Sequence, residues 1–169
     1  KEPLKQAISQ HLRNQHEDGI RPLYIYAQSI LSIATARARY ATLGTNEKFW
    51  SHWEEKFESR EMEQAYIDQL DRLKNQRLSQ EVKDKLFLNR FGYIRQYFEE
   101  LEEEHILPTE QDKYLFGLCS PGRLLDFTFN FVIFDDGEKK IARYQQYFAV
   151  KRAMKKITQI ENGKRKGGV

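Results

Sequence analysis

The chain has 169 residues, with 28 Lys and Arg against 25 Asp and Glu and a formal net charge of +3, so it is not a basic protein that coats nucleic acid. Its 40% hydrophobic content argues against disorder, its length suffices for a domain that buries about two-thirds of its unfolded surface, and no apolar run is long enough to span a bilayer. Cys119 is the single cysteine, which leaves no internal disulfide and fits a reducing, cytoplasmic setting.

In chain order, Leu4, Ala7, Ile8, His11 and Leu12 form an apolar stripe that predicts a helix from about Pro3 to Gln15, with Gln10 and Asn14 one turn apart on its shoulder. His11 lies on the apolar face and reads as a packed residue. The run from Leu23 to Ile33, rich in aromatic and β-branched residues, reads as a buried strand. A second strand is expected over Arg37 to Leu43, with Arg37 and Arg39 on one side and Ala38 and Tyr40 on the other. Those arginines suit either contact with phosphate or the outward charge of an edge strand. Thr45 is placed to cap a helix whose inner face is Phe49, Trp50, Trp53 and Phe57.

From about Arg60 to Leu107 the chain is charged and helical. Met62, Ala65, Tyr66, Leu70 and Leu73 mark one stripe, Ser79 caps a second helix through Val82 and Leu86, and Ile94, Tyr97, Phe98 and Leu101 mark a third. The run from Glu99 to Glu104 reads as a solvated face. Thr109 and Asp112 have capping-box spacing. Ser120-Pro121 starts a helix that runs through Leu124, Leu125, Thr128, Phe129 and Val132 to about Phe134, and Asp135-Asp136-Gly137 is a turn. A last helix carries Val150, Ala153, Met154 and Ile157 on a face expected to pack on a core. Lys151, Arg152, Lys155 and Lys156 lie opposite, and Glu161-Asn162-Gly163 follows as a stop. The fold class expected is mainly α with a small β component, α+β.

Local catalytic chemistry is sparse. His11, His16, His52 and His105 show no zinc spacing with Cys119. Three E-x-K triplets, Glu54-Glu55-Lys56, Glu81-Val82-Lys83 and Glu138-Lys139-Lys140, follow no suitable strand; the first two are expected on helices, and all three read as surface charge. There is no G-x-x-x-x-G-K-[ST] phosphate loop. Beginning on Lys1-Glu2-Pro3 and ending on Gly-Gly-Val, the sequence reads as an excerpt of a longer polypeptide.

Several stretches resemble one family, the DNA-cleaving, ATP-driven restriction subunit of type I restriction-modification enzymes. Arg143-Tyr144-Gln145-Gln146-Tyr147-Phe148-Ala149-Val150 is similar to that family's Q motif, with Gln145 in place of the usual His. Arg39-Tyr40-Ala41-Thr42-Leu43-Gly44-Thr45 and Lys48-Phe49-Trp50-Ser51-His52-Trp53 resemble the strand, loop and helix that close its nuclease domain. Gln6 to Gln15 resembles its glutamine helix, with Asn14 where Tyr is usual. Ser120, Pro121, Arg123, Leu124, Leu125, Asp126, Phe131, Phe134 and Asp135 match the segment before the Q motif. The resemblance covers about 4–57 and 114–169.

It implies three segments: 1–57, the tail of a restriction-endonuclease-like α/β domain of the PD-(D/E)xK type; 58–107, a helical connector; and 108–169, the lead-in to a RecA-like motor. It implies Gln10 as a supporting nuclease residue, and Gln146, Arg143 and Tyr144 as nucleotide-binding residues. Arg37 and Arg39 are the DNA-contact candidates, and this stretch supplies no metal ligand. The whole subunit would use ATP and Mg2+, act on double-stranded DNA, and partner methyltransferase and specificity subunits, with no membrane involvement. The excerpt alone would neither hydrolyse ATP nor cut DNA. A glutamine amide offers an acceptor beside a donor, so it can meet adenine N6 and N7 together, worth roughly 1–3 kcal/mol of base discrimination. The alternative reading is a non-catalytic helical protein–protein interaction domain.

Overall fold

The computed structural model describes residues 2–34, 36–87, 91–161 and 164–165. The described residues are mainly helical with small antiparallel sheets, an α+β arrangement. The elements are α1 (Pro3–Asn14), α2 (Arg21–Tyr26), β1 (Ile30–Ala34), β2 (Arg37–Ala41), α3 (Arg60–Lys74), α4 (Gln80–Leu86), α5 (Gly92–Leu101), α6 (Glu110–Cys119), α7 (Pro121–Asn130), β3 (Val132–Asp135), β4 (Glu138–Ile141) and α8 (Tyr144–Thr158). A short pairing of β5 (Ile160–Glu161) with β6 (Lys164–Arg165) follows. No helix among the described residues is long and apolar enough to cross a membrane.

The chain forms two compact units, Lys1–Lys56 with Tyr114–Val169, and Phe57–Lys113. The sequence reading divides it in three, near residues 57 and 107. Compactness divides it in two because the outer portions share a core.

The larger unit is organised around the β1–β2 hairpin, whose two faces bury different residues as the strand period of two requires. Leu31 and Tyr40 are cross-strand partners, and so are Ile30 and Ala41. Tyr40 joins a core of Trp53, Leu118, Phe127, Phe131, Tyr144 and Tyr147, while Ile30 and Ala41 join Ile8, Tyr24 and Trp50 on the side of α1. Tyr40 also donates to the Ala142 carbonyl at 2.8 Å and Thr42 Oγ1 to the Lys139 carbonyl at 2.5 Å, tying the two outer portions by hydrogen bonds as well as by packing.

Four expectations are corrected. Residues 21–26 are helix α2 and not part of a strand: Pro22 sits in its first turn, and Tyr24 alone is buried in the helix while Leu23, Ile25 and Tyr26 are exposed, so one face in three is used instead of both faces of a strand. The segment after Thr45 is one 3-10 turn, Glu47–Phe49, followed by extended chain in which Ser51 bridges Tyr40; Trp50 and Trp53 are buried from this extended segment, at separate cores. α7 stops at Asn130 and the β3–β4 hairpin begins at Val132, with Asp136 and Gly137 at φ 51 and 76 making its turn. Finally, the Val150, Met154 and Ile157 face of α8 is exposed; the helix docks through Tyr144 and Tyr147 in its first two turns, where the aromatic core lies.

The smaller unit has little apolar core. Leu70 and Lys83 are its buried residues among those described, and polar clasps hold it. Asn75, at the end of α3, accepts from the Ile106 backbone N–H at 2.8 Å and donates to its carbonyl at 3.1 Å. Lys83, expected as surface charge, is buried against Glu102 at 2.6 Å. Glu102 also accepts from Leu78 N, so one member of the acidic run is a structural counter-ion. Ser79 and the Thr109–Asp112 pair cap their helices as their spacing predicts.

Candidate functional site

α8 begins where β4 ends, and Arg143 is its N-cap in extended conformation. Gln146, three residues on, turns its side chain back, so that Oε1 accepts from the Arg143 backbone N–H at 2.8 Å. This satisfies one of the donors that a helix start leaves unpaired. It also fixes the amide: the carbonyl oxygen faces the backbone with one lone pair left, and Nε2 donates to none of the described residues.

Gln146 is exposed, and with Arg143 and Val150 it lines a cleft of about 680 Å³. That volume lies in the range of small-molecule sites. The rest of the lining comes from the 40–46 stretch, Phe49, Ser51, Asn130, Phe131, Ala142 and the β3–β4 hairpin. Its charged members are Glu138, Lys139, Lys140 and Arg143, three cations against one carboxylate, so the cleft favours an anionic ligand. Lys140 is paired with Asp135 and lies 4.0 Å from Glu138, and Lys139 donates to the Ala27 carbonyl at 3.0 Å. Arg143 forms no ion pair with a described residue.

The 42–46 loop is held from three sides. Thr42 and Thr45 share a hydroxyl contact at 3.1 Å, Trp50 Nε1 donates to the Thr45 carbonyl at 3.1 Å, and Gly44 N donates to Gln15 Oε1 at 2.8 Å. Gly44 has φ +80, a conformation that residues with a Cβ rarely adopt.

The other candidates lie elsewhere. Tyr144 is buried, its ring 5.1 Å from that of His52, and a hydrogen bond to the Glu54 carboxylate pushes its phenol above the ordinary value; it is not among the cleft residues. Gln10 is exposed on α1, donates to Asn14 at 2.7 Å and accepts from Arg13 at 2.5 Å. Asn14 continues to Tyr24 OH at 3.4 Å, and Tyr24 reaches His11 Nδ1 at 2.8 Å. His11 Nε2 must donate to the Leu31 carbonyl, so in the neutral ring Nδ1 accepts from Tyr24. His11 also stacks on Trp50, which makes it the packed residue the sequence predicts.

Arg37 and Arg39 share the β2 face that turns toward α1, as their spacing predicts. Arg37 is exposed and lies 3.7 Å from Glu2; Arg39 is half-buried and donates to the Ala38 carbonyl. The structure thus brings Arg143 and Gln146 together, and places Gln10, Tyr144, Arg37 and Arg39 outside their cleft.

The E-x-K triplets also have structural roles. Glu54-Glu55-Lys56 is extended chain, not helix, and Glu55 pairs with Arg123 of α7 at 2.7 Å while accepting from Trp53 Nε1 at 2.9 Å. Glu138-Lys139-Lys140 is β4 itself. Among the described residues no group of three or more His, Cys, Asp or Glu could hold a metal ion. The Asn162-Gly163 stop lies outside the described residues.

Phe49 and the basic β4 residues of the cleft were missed in the sequence because Phe49 fits a helical core stripe and Lys139-Lys140 fits a solvated turn. The weak available signal was the polar Thr42 to Asn46 loop between two apolar runs. Comparison with protein-family models, curated proteins and solved structures finds no match.

Proposed function

We propose that this chain belongs to the restriction subunit of a type I restriction-modification system and that the cleft beside Gln146 receives the adenine end of ATP. The observation that supports this most directly is the exposure of the Gln146 amide on a cleft of about 680 Å³ with a net positive lining. An amide held by its own helix start costs no further ordering when it meets a base edge. Its free Nε2 suits purine N7, and the second lone pair of Oε1 suits the adenine 6-amino group. Guanine carries a carbonyl there, which would face that oxygen acceptor to acceptor. Arg143 supplies charge for the phosphate side of the ligand. The nucleotide, when bound with Mg2+, would supply the free energy of hydrolysis that drives DNA movement.

On this reading residues 1–57 are the end of a nuclease domain, 58–107 a helical connector and 108–169 the approach to a RecA-like motor. Double-stranded DNA and the methyltransferase and specificity subunits are the partners, and the setting is cytoplasmic. Gln10 would support cleavage from α1, where Asn14 and Arg13 hold its amide. The test is an assembled restriction complex carrying Gln146→Ala or Gln10→Ala. Gln146→Ala should reduce ATP-driven DNA translocation, and Gln10→Ala should reduce cleavage while sparing ATP hydrolysis. Equal loss of cleavage and ATP hydrolysis in Gln10→Ala would argue against its role in cleavage, and unchanged nucleotide preference in Gln146→Ala would argue against the adenine role.

A second reading, a non-catalytic interaction domain, is favoured by apolar side chains held in solvent. Tyr26, Phe129 and Phe134 are 82%, 77% and 72% exposed. Exposed aromatics of this kind serve interfaces. That reading predicts no nucleotide binding by the cleft.

A further inference from the structure

The Gln146 amide can reach only the edge of a purine, which leaves the faces of the ring without an assigned partner. Phe49 lines the same cleft from the other outer portion of the chain. It is 52% exposed, although Trp50 and Trp53 in the same run are 6% and 4% exposed. The fold therefore anchors its neighbours in two cores and holds this one aromatic out in the cleft.

The mounting is rigid. Phe49 ends the 3-10 turn, Trp50 is fixed by its bond to the Thr45 carbonyl, and Ser51 and Tyr40 exchange backbone bonds of 2.8 and 2.9 Å. Lys48 Nζ lies 4.8 Å from the Phe49 ring centroid. A cation over one face leaves the other for a stacked base.

We infer that Phe49 is the stacking platform for the purine in this cleft, with the 42–46 loop beside it, so that one nucleotide is gripped by both outer portions of the chain. This rests on the nucleotide reading of the Gln146 cleft and adds to it the residue that holds the ring. Stacking acts on any base, since every base has a π-face, whereas the amide selects adenine. The two residues therefore divide affinity from selectivity.

The experiment is a fluorescence-anisotropy titration of the protein with ribose-labelled ADP and GDP, on the native chain and on Phe49→Ala, Phe49→Tyr and Gln146→Ala. Phe49→Ala should weaken ADP and GDP alike by roughly five- to a hundredfold, and Phe49→Tyr should restore most of the loss. Gln146→Ala should instead abolish the preference for ADP, because it removes the oxygen that tells a 6-amino group from a 6-carbonyl. Matching melting curves for native protein and Phe49→Ala exclude misfolding, as expected for an exposed side chain. If Phe49→Ala binds ADP like the native protein, the stacking role is overturned while the cleft reading stands. If the native protein binds neither nucleotide, both fall.

Discussion

Arg123 of α7 donates to Glu55 through Nη2 at 2.7 Å, and its guanidinium lies 4.8 Å from the Trp53 ring centroid and 4.7 Å from that of Tyr147. The pair joins residues 68 positions apart and is mostly shielded, with side chains 19% and 13% exposed. An exposed pair contributes at most ~1 kcal/mol, and breaking a buried one costs ~3–5 kcal/mol. Arg123→Ala should accordingly lower unfolding free energy in urea by about 2 kcal/mol. Arg123→Lys should recover little of it, since an ammonium cannot both fork onto the carboxylate and lie flat on the rings.

Gly117 of α6 faces the same aromatic group. A Cβ there would meet Trp53 Nε1 at 2.7 Å, the atom that donates to Glu55. Gly117→Ala gains helix propensity but must displace the indole or its acceptor. Overpacking of this kind costs ~1–3 kcal/mol, so the expected result is a lower melting temperature despite the better helix former.

These two sites show where sequence reading succeeds and where it ends. Helices with a single apolar stripe, such as α1, α3 and α5, are legible because the signal is local. The helix expected after Thr45 failed because Phe49, Trp50, Trp53 and Phe57 have helical spacing by coincidence: tertiary contacts pull Trp50 toward α1 and Trp53 toward α7, which no single helix face could do. The α8 stripe failed for a related reason, since its aromatic first turns outcompete Val150 and Met154 for the core. Gln146 was legible as a helix-start glutamine, whereas its cleft was not, because the facing wall comes from residues 42–49, about a hundred positions away.

Tyr147 donates to Asp126 at 2.7 Å and makes stability depend on pH at both ends. Burial raises the Asp126 carboxyl, but hydrogen bonds from Tyr147, Lys151 and Asn130 outweigh it and hold the group below its ordinary 3.8. A depressed folded value contributes stability above the unfolded one and loses it as pH falls through the folded one. Asp126→Asn should therefore be less stable than the native chain near neutrality, and the gap should close below about pH 4.

For Tyr147, burial and then the Asp126 carboxylate push the phenol from 10.0 up to about 12. Its contribution is complete below 10.0 and is lost as pH rises toward about 12. Urea midpoints should fall across that interval in the native chain, and by less in Tyr147→Phe.

Lys83 and Glu102 make a contrasting case in the smaller unit, where a buried ammonium has Glu102 at 2.6 Å. The hydrogen bond from Lys83 holds the Glu102 carboxyl below the ordinary range. Glu102→Gln leaves the ammonium without its counter-charge and should lower the urea midpoint. Lys83→Met with Glu102→Gln should restore most of it, because an apolar chain of similar length tolerates the same site.

The central claim, that Gln146 reads adenine, is tested most directly by removing its amide. Both purines present N7, so the group that separates them is the Oε1 acceptor, which meets the 6-amino group of adenine and opposes the 6-carbonyl of guanine; Gln146→Ala takes it away. The same variant loses one bond at the helix start, so the melting temperature should fall only slightly. The measurement is the ratio of dissociation constants for GDP and ADP. In the native chain ADP should bind tighter by roughly five- to a hundredfold, and in Gln146→Ala the ratio should fall to near one. An unchanged ratio in the variant, or equal binding of both nucleotides by the native chain, would contradict the account.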